Sequence, residues 1–235
     1  MCIASGGNVI AITKAGRAPA GFVEMQRQPL RNLDAHEHLY FEGDARTHIY
    51  IVAAGWVKLY RTLVDGQRQV VGFANAGAIL GLESDALHVN ACEAISPVSI
   101  RAIPINRLSE ICAADGMFAE QLLLQIGRQL GAAQTQLATV GAQTAEQKLA
   151  TFLLSICRLS GKSGSDDFDM PMRRGDVAEF LGLRLETVSR KMTEFQRRGW
   201  IKMSSLYHCR IINRDVLEAL GEGGETGDAS SRAAS

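Results

Sequence analysis

Between about Leu30 and Arg101 the chain runs in short apolar stretches rich in β-branched and aromatic residues. These are Ile49-Tyr50-Ile51-Val52, Trp56-Val57-Lys58-Leu59-Tyr60, Gln69-Val70-Val71-Gly72-Phe73 and Val98-Ser99-Ile100. Gly43, Gly55, Gly66, Gly77 and Gly81 punctuate the region, and Asp65-Gly66 is a hairpin turn signal. Such runs predict an antiparallel all-β unit, a roll or barrel. The period then changes. Phe118, Leu122, Ile126, Leu130, Ala133, Leu137 and Val140 recur every three or four residues, which keeps one apolar seam along a helix over 116–143. Gly127, Gly131, Ala132 and Gly141 lie along the same helix and permit close approach of a second one. Two readings of the seam stand: it pairs with its copy in a parallel dimer, or it packs on the chain's own β unit. The repeat outlasts what one small roll covers, which favours the dimer.

A second helix over Thr144–Leu159 leads through the polar loop Ser160–Asp167 to two shorter helices, Gly175–Leu183 and Leu185–Arg198. A turn containing Gly182 joins them, and Val177, Ala178, Leu181, Leu183, Val188 and Met192 supply their apolar side. Gly199–Met203 and Tyr207–Ile212 then read as two strands around a short turn. This order is a helix-turn-helix followed by a wing. On the second short helix Val188, Met192 and Phe195 mark the core side, whereas Glu186, Ser189 and Arg190 share another face. Those three types suit a DNA major groove: Arg donates twice to guanine, Glu accepts from the cytosine amino group, and Ser bonds base or phosphate. Glu186 and Arg190 are also spaced for an i,i+4 salt bridge in the free protein, and the two readings do not exclude each other.

Composition sharpens this picture. In 235 residues, 46% hydrophobic and 21% charged side chains exclude a disordered chain. The zero net charge hides an asymmetry, because residues 171–214 hold ten Lys or Arg against four acids. A basic segment in a neutral protein implies a polyanion partner for that segment. Arg173, Arg174, Lys191, Arg197, Arg198 and Lys202 are its candidate phosphate contacts. No apolar run approaches the roughly 18 residues that cross a bilayer, and the N-terminus lacks a secretory pattern, so a soluble cytoplasmic protein without membrane partners is expected. Residues 1–29, punctuated by Pro19 and Pro29, read as a flexible arm, and 221–235 as a disordered tail.

Cys2, Cys92, Cys112, Cys157 and Cys209 are odd in number and form no CxxC pair, which argues against a metal site or a disulfide framework. Cys209 follows two readings. Beside Arg210 in the wing its thiolate would be favoured and its oxidation would add negative charge near DNA; facing the core it would be inert. No Gly-rich phosphate loop, HExxH or GxSxG appears, so nothing points to an enzyme.

The run Leu181-Gly182-Leu183-Arg184-Leu185-Glu186-Thr187-Val188-Ser189-Arg190 carries an E-x-x-S-R pattern. With Trp56–Tyr60, Asp65-Gly66 and Ile79–Glu83, it resembles the CRP/FNR family of bacterial transcription regulators, in its FixK-like branch, over residues from about 30 to 220. The resemblance implies an α+β fold. An N-terminal antiparallel β-roll (cyclic-nucleotide-binding-like jelly roll) would span 30–115, a long dimerisation helix 116–143, and a C-terminal winged helix-turn-helix 144–220. It further implies a homodimer that reads a TTGAT half-site and its ATCAA partner through Glu186, Ser189 and Arg190. RNA polymerase would be a partner, and the protein would be an activator of genes of microaerobic respiration, nitrogen fixation or denitrification. Relatives that bind cyclic nucleotides hold the phosphate with an Arg-Ser or Arg-Thr pair; here Leu82 and Glu83 follow Gly81 and residues 84–93 contain no Arg, so no cyclic nucleotide is expected. Cys2 and Cys92 are too few for the iron-sulfur cluster of the oxygen-sensing relatives. No cofactor is therefore expected. His36, His38, His48 and His88 keep one alternative open, a ligand- or haem-gated sensor that binds DNA only with its effector.

Overall fold

The computed structural model describes residues 2–3, 20–83, 85–140, 143–160 and 164–223. The chain divides into two compact units, 1–136 and 137–235. The first contains β1 (Cys2–Ile3), α1 (Ala20–Arg27), β2 (Leu30–Leu33), β3 (His38–Tyr40), β4 (His48–Ala54), β5 (Trp56–Thr62), β6 (Arg68–Asn75), β7 (Ile79–Leu80), β8 (Ala91–Ala94), β9 (Val98–Pro104) and α2 (Ile105–Ala114). The long helix α3 (Gly116–Val140) follows. The strands form two sheets, in the orders β1-β6-β5-β8-β3 and β2-β9-β4-β7, and every pairing except the parallel β1–β6 is antiparallel.

Val52, Val57, Ala74, Leu80, Cys92 and Ile100 fill one core of this roll. A second core, of Met25, Ile49, Ile51, Ile79, Ile103, Ile111 and Phe118, brings in α1, α2 and the first turn of α3. This is why Ile49-Tyr50-Ile51-Val52 reads as a continuous apolar run: Ile49 and Ile51 join one core and Val52 the other. At the start of β5, Gly55 has φ +86°, and a Cβ there would lie 2.1 Å from the carbonyl oxygen of Pro97. Only glycine fits that turn.

Two expectations change here. Residues 1–29 are not an arm throughout, because α1 occupies Ala20–Arg27 and buries Met25; residues 4–19 lie outside the described residues. Phe118 does not belong to an intersubunit seam. Its side chain is 0% exposed within the second core, and Leu122 packs partly against the same cluster. The open apolar face starts later, at Leu123 (68% exposed), Ile126 and Leu130 (57%). The side chains of Ala133, Leu137 and Val140 lie outside the described residues.

The second unit contains α4 (Ala145–Ser160), β10 (Asp167–Asp169), α5 (Arg174–Leu181), α6 (Leu185–Arg197), β11 (Ile201–Ser205), β12 (His208–Ile211) and α7 (Arg214–Gly221). Leu149, Phe152, Leu153 and Ile156 of α4 are buried, and the Phe152 and Phe180 rings lie 5.6 Å apart. Burying a side chain of that size contributes about 1.5–3 kcal/mol. The wing is larger than a two-stranded hairpin. Asp167-Phe168-Asp169, at the end of the expected loop, pairs antiparallel with β12, giving a sheet in the order β10-β12-β11. Phe168, buried at its centre, drives that strand inward while its two aspartates stay on the other face. The expected tail begins after a described helical end at Gly221, and residues 224–235 lie outside the described residues.

Candidate nucleic-acid interface

Helix α5 begins where Asp176 Oδ2 accepts a hydrogen bond from the Arg173 backbone N–H at 2.9 Å. It ends at Gly182 in the left-handed conformation, φ 63° and ψ 41°, whose N–H reaches the Ala178 carbonyl. That conformation suits glycine and sets the sharp turn into α6. On α6, Val188, Met192 and Phe195 are buried, and Phe195 packs 5.1 Å from the Trp200 ring. Leu185, Glu186, Arg190, Thr193 and Arg197 are exposed and Ser189 is half-buried. An open depression of about 570 Å³ is lined by Ser189, Arg190, Thr193, Glu194 and Arg197. The three residues expected to read bases therefore share the outward side of one helix. Neither Glu186 nor Arg190 has an ion-pair partner among the described residues, so the i,i+4 bridge that their spacing allows is not formed here.

The basic residues separate into two kinds. Arg173, Arg197 and Lys202 are exposed. Lys191 and Arg198, the latter also exposed, are in addition paired with acids that brace the recognition helix. The Lys191 ammonium lies 3.2 Å from Glu146 of α4 and 2.9 Å from Glu194. Arg198 lies 2.6 Å from Glu194 and 3.7 Å from Glu146, with its guanidinium 4.8 Å from the Trp200 ring centroid. These bonds raise the Lys191 pKa, chiefly through Glu194, and lower that of Glu194, chiefly through Lys191. Sequence spacing reveals the i,i+3 and i,i+4 partners on α6, but Glu146 is 45 residues from Lys191 and is found only by folding. Arg174 is also turned inward: its Nη1 is buried without a hydrogen-bond partner, and desolvation lowers its pKa.

The redox reading of Cys209 is corrected as well. Successive residues on a strand face opposite sides, so exposed Arg210 does not stand beside the buried thiol. Cys209 is 0% exposed, and burial pushes its pKa up to about 12 despite the nearby charge of Arg174. A protonated, enclosed thiol is inert. DNA affinity is expected to be unchanged by brief peroxide treatment of wild type, and equally unchanged in Cys209→Ala; a loss in wild type spared by the substitution would contradict this.

All four histidines of the roll are engaged with side chains. His36 Nδ1 lies 3.2 Å from buried Glu93, His38 Nε2 bonds the Tyr60 hydroxyl at 2.9 Å, and His48 Nδ1 bonds the Thr47 hydroxyl at 2.8 Å. His88 is buried and stacked on Tyr40 at 3.7 Å, and desolvation lowers its pKa. No group of three or more His, Cys, Asp or Glu positioned to hold a metal occurs among the described residues. After Gly81, Arg46 donates to the carbonyls of Gly81 and Asp85, at 3.3 and 2.6 Å. Nearby, Glu83 Oε2 and His88 Nδ1 face each other at 3.8 Å, and the buried Tyr40 hydroxyl sits beside the Cys92 thiol. Among the described residues no helix is long and apolar enough to cross a membrane.

A roll, a long helix with an open apolar face, and a winged helix-turn-helix with a polar outer side on its second helix define a DNA-binding transcription regulator. Residues 30–115 match the cyclic nucleotide-binding domain model and residues 147–220 the Crp-like helix-turn-helix domain model. The chain belongs to the CRP/FNR family, and within it to the FixK-like regulators. It is 32% identical to the nitrogen fixation regulation protein FixK of Rhizobium meliloti over 77% of this chain and 82% of that protein. With the protein of the same name in Bradyrhizobium diazoefficiens it shares 37% identity over 70% of each. The solved structure of FixK2 from Bradyrhizobium japonicum superposes with a TM-score of 0.77 at 31% identity, covering 82% of this chain and 96% of that one. The relatives are transcription regulators, not enzymes.

Proposed function

We propose that the protein is a cytoplasmic homodimer that binds a TTGAT-N4-ATCAA-like palindrome without an added effector. It activates transcription through contact with RNA polymerase, at genes of microaerobic respiration, nitrogen fixation or denitrification. The observation that carries this is the outward placement of Glu186, Ser189 and Arg190 on a helix whose opposite face is core. Leu185, an exposed leucine at the first position of α6, extends the reading surface with an apolar contact for a thymine methyl group. Arg173, Arg197 and Lys202 hold phosphates. The dimer forms along α3 through Leu123, Ile126 and Leu130 and continues through Ala133, Leu137 and Val140. Cyclic nucleotides are not ligands of the roll, because no arginine lies between residues 82 and 93 to meet the phosphate.

Fluorescence anisotropy of ligand-free protein against the palindrome and a scrambled duplex tests the reading, with dimer-stoichiometric binding to the palindrome alone expected. About six phosphates neutralised per dimer would reduce affinity roughly a thousandfold between about 50 and 200 mM salt. A second reading, an effector-gated sensor, draws on the His88–Glu83 pair inside the roll, whose facing atoms are buried 3.8 Å apart, too far for a hydrogen bond. Equal weak binding of ligand-free protein to both duplexes would favour it.

A further inference from the structure

The outer face of the wing sheet holds a charge cluster that the base-reading helix does not use. His208 of β12 pairs across the sheet with Asp169 of β10 on one side and Ser205 of β11 on the other. In the next row Arg210 stands between Asp167 and Lys202. Cys209 and Ile211 point into the core, so His208, Arg210 and their cross-strand partners share the solvent side. His208 Nε2 is 2.7 Å from Asp167 Oδ1, and its Nδ1 is 2.9 Å from Asp169 Oδ1. Arg210 holds the other Asp167 oxygen at 2.6 Å.

Ionised carboxylate oxygens only accept hydrogen bonds. Two such bonds, one to each ring nitrogen, therefore require two N–H donors, and His208 is an imidazolium in this arrangement. Asp169 and then Asp167 raise its pKa, the direction the geometry demands. Loss of the proton turns one N–H···O bond into a lone pair facing a carboxylate. That bond opens, and the face, with Lys202, Arg210, Asp167 and Asp169, drops from one net positive charge to none.

We propose that His208 is a proton-operated clasp on the wing that sets the protein's affinity for DNA. This rests on the reading of the winged unit as the DNA-binding unit. Protonated, it bridges the two aspartates, compensating Asp169 while Arg210 compensates Asp167, and ties β10 to β12 beside a polyanion. Deprotonated, it leaves Asp169 uncompensated and weakens phosphate attraction in both subunits of a dimer. Because the folded-state pKa lies above the ordinary value, the clasp is fully closed below about pH 6.5 and is lost as pH rises through the raised value. The groups facing His208 are Asp167 and Asp169 from β10 and Arg210 from its own strand, with Lys202 beyond Arg210 on β11.

The test uses the full-length protein in two measurements. In the first, the His208 ring resonance, identified by its absence from His208→Gln, is titrated by NMR in wild type and Asp169→Asn. A wild-type midpoint above the ordinary histidine value that falls in Asp169→Asn is expected. In the second, anisotropy against the palindrome is followed from about pH 6 to 8.5 at fixed salt. Wild-type affinity should fall about fivefold to tenfold through that midpoint, while His208→Gln stays flat. A His208 midpoint at or below the ordinary value overturns the clasp. The same pH dependence in wild type and His208→Gln overturns its link to DNA. A raised midpoint in a protein that binds no duplex at any pH removes that link too, and in that case the DNA reading itself has failed.

Discussion

Arg190→Ala is expected to abolish most discrimination for the palindrome while leaving the protein folded. The side chain is exposed on α6 and has no ion-pair partner among the described residues, so its removal leaves the domain core unchanged. A guanidinium placed against guanine makes two directed hydrogen bonds worth about 1–3 kcal/mol of base discrimination. Two half-sites make the loss about 2–6 kcal/mol for the dimer, or roughly thirtyfold to more than a thousandfold in affinity. Arg197→Ala is the comparison. As a phosphate contact its loss should weaken the palindrome and the scrambled duplex alike and shallow the salt dependence. Sites selected from a random pool would report the difference directly. An unchanged consensus from the Arg190 variant would remove that residue from base reading.

Leu130→Glu is expected to separate the dimer and to abolish specific binding through it. Leu130 is 57% exposed in the single chain, so the substitution creates no cavity and should preserve the circular dichroism spectrum. Across a two-fold seam the same change places two carboxylates together in an apolar contact and removes two buried leucines. Truncating a well-packed leucine costs about 2–5 kcal/mol, and the seam loses it twice, so dissociation should strengthen by at least roughly a thousandfold. Sedimentation velocity at micromolar concentration would show monomer. Anisotropy would show only weak, salt-sensitive association with either duplex. A variant that sediments as a dimer would exclude α3 as the seam.

The parts of the molecule that sequence discloses are those where one element's periodicity is decided by one core. Helix α6 is such a case: Val188, Met192 and Phe195 recur at helical spacing, and their burial leaves Glu186, Ser189 and Arg190 outward. The long helix is legible in extent but not in the start of its free face. Phe118 continues the helical repeat, yet its partner is a second core built by α1 and α2, both short and mixed in composition. Strand β10 is concealed for a related reason, since Asp-Phe-Asp has the composition of a loop and becomes a strand only because Phe168 finds the domain interior. The basic residues show the same limit. Positive charge marks the segment, but whether a given cation is already paired depends on distant partners, as Glu146 takes up Lys191.

The seating of Phe118 bears on how regulators of this architecture can be recombined. Its ring closes against Gly21 so tightly that even a methyl group at that glycine would meet the Phe118 ring at 2.8 Å and the Ile111 side chain at 2.6 Å. The first turn of α3 is thus a plug moulded to this roll rather than an interchangeable linker. A hybrid that grafts another regulator's helix onto this N-terminal roll should keep the native chain through Leu122 and place its junction beyond it. A junction drawn at Gly116, where secondary structure alone would invite it, would hand the second core a foreign plug.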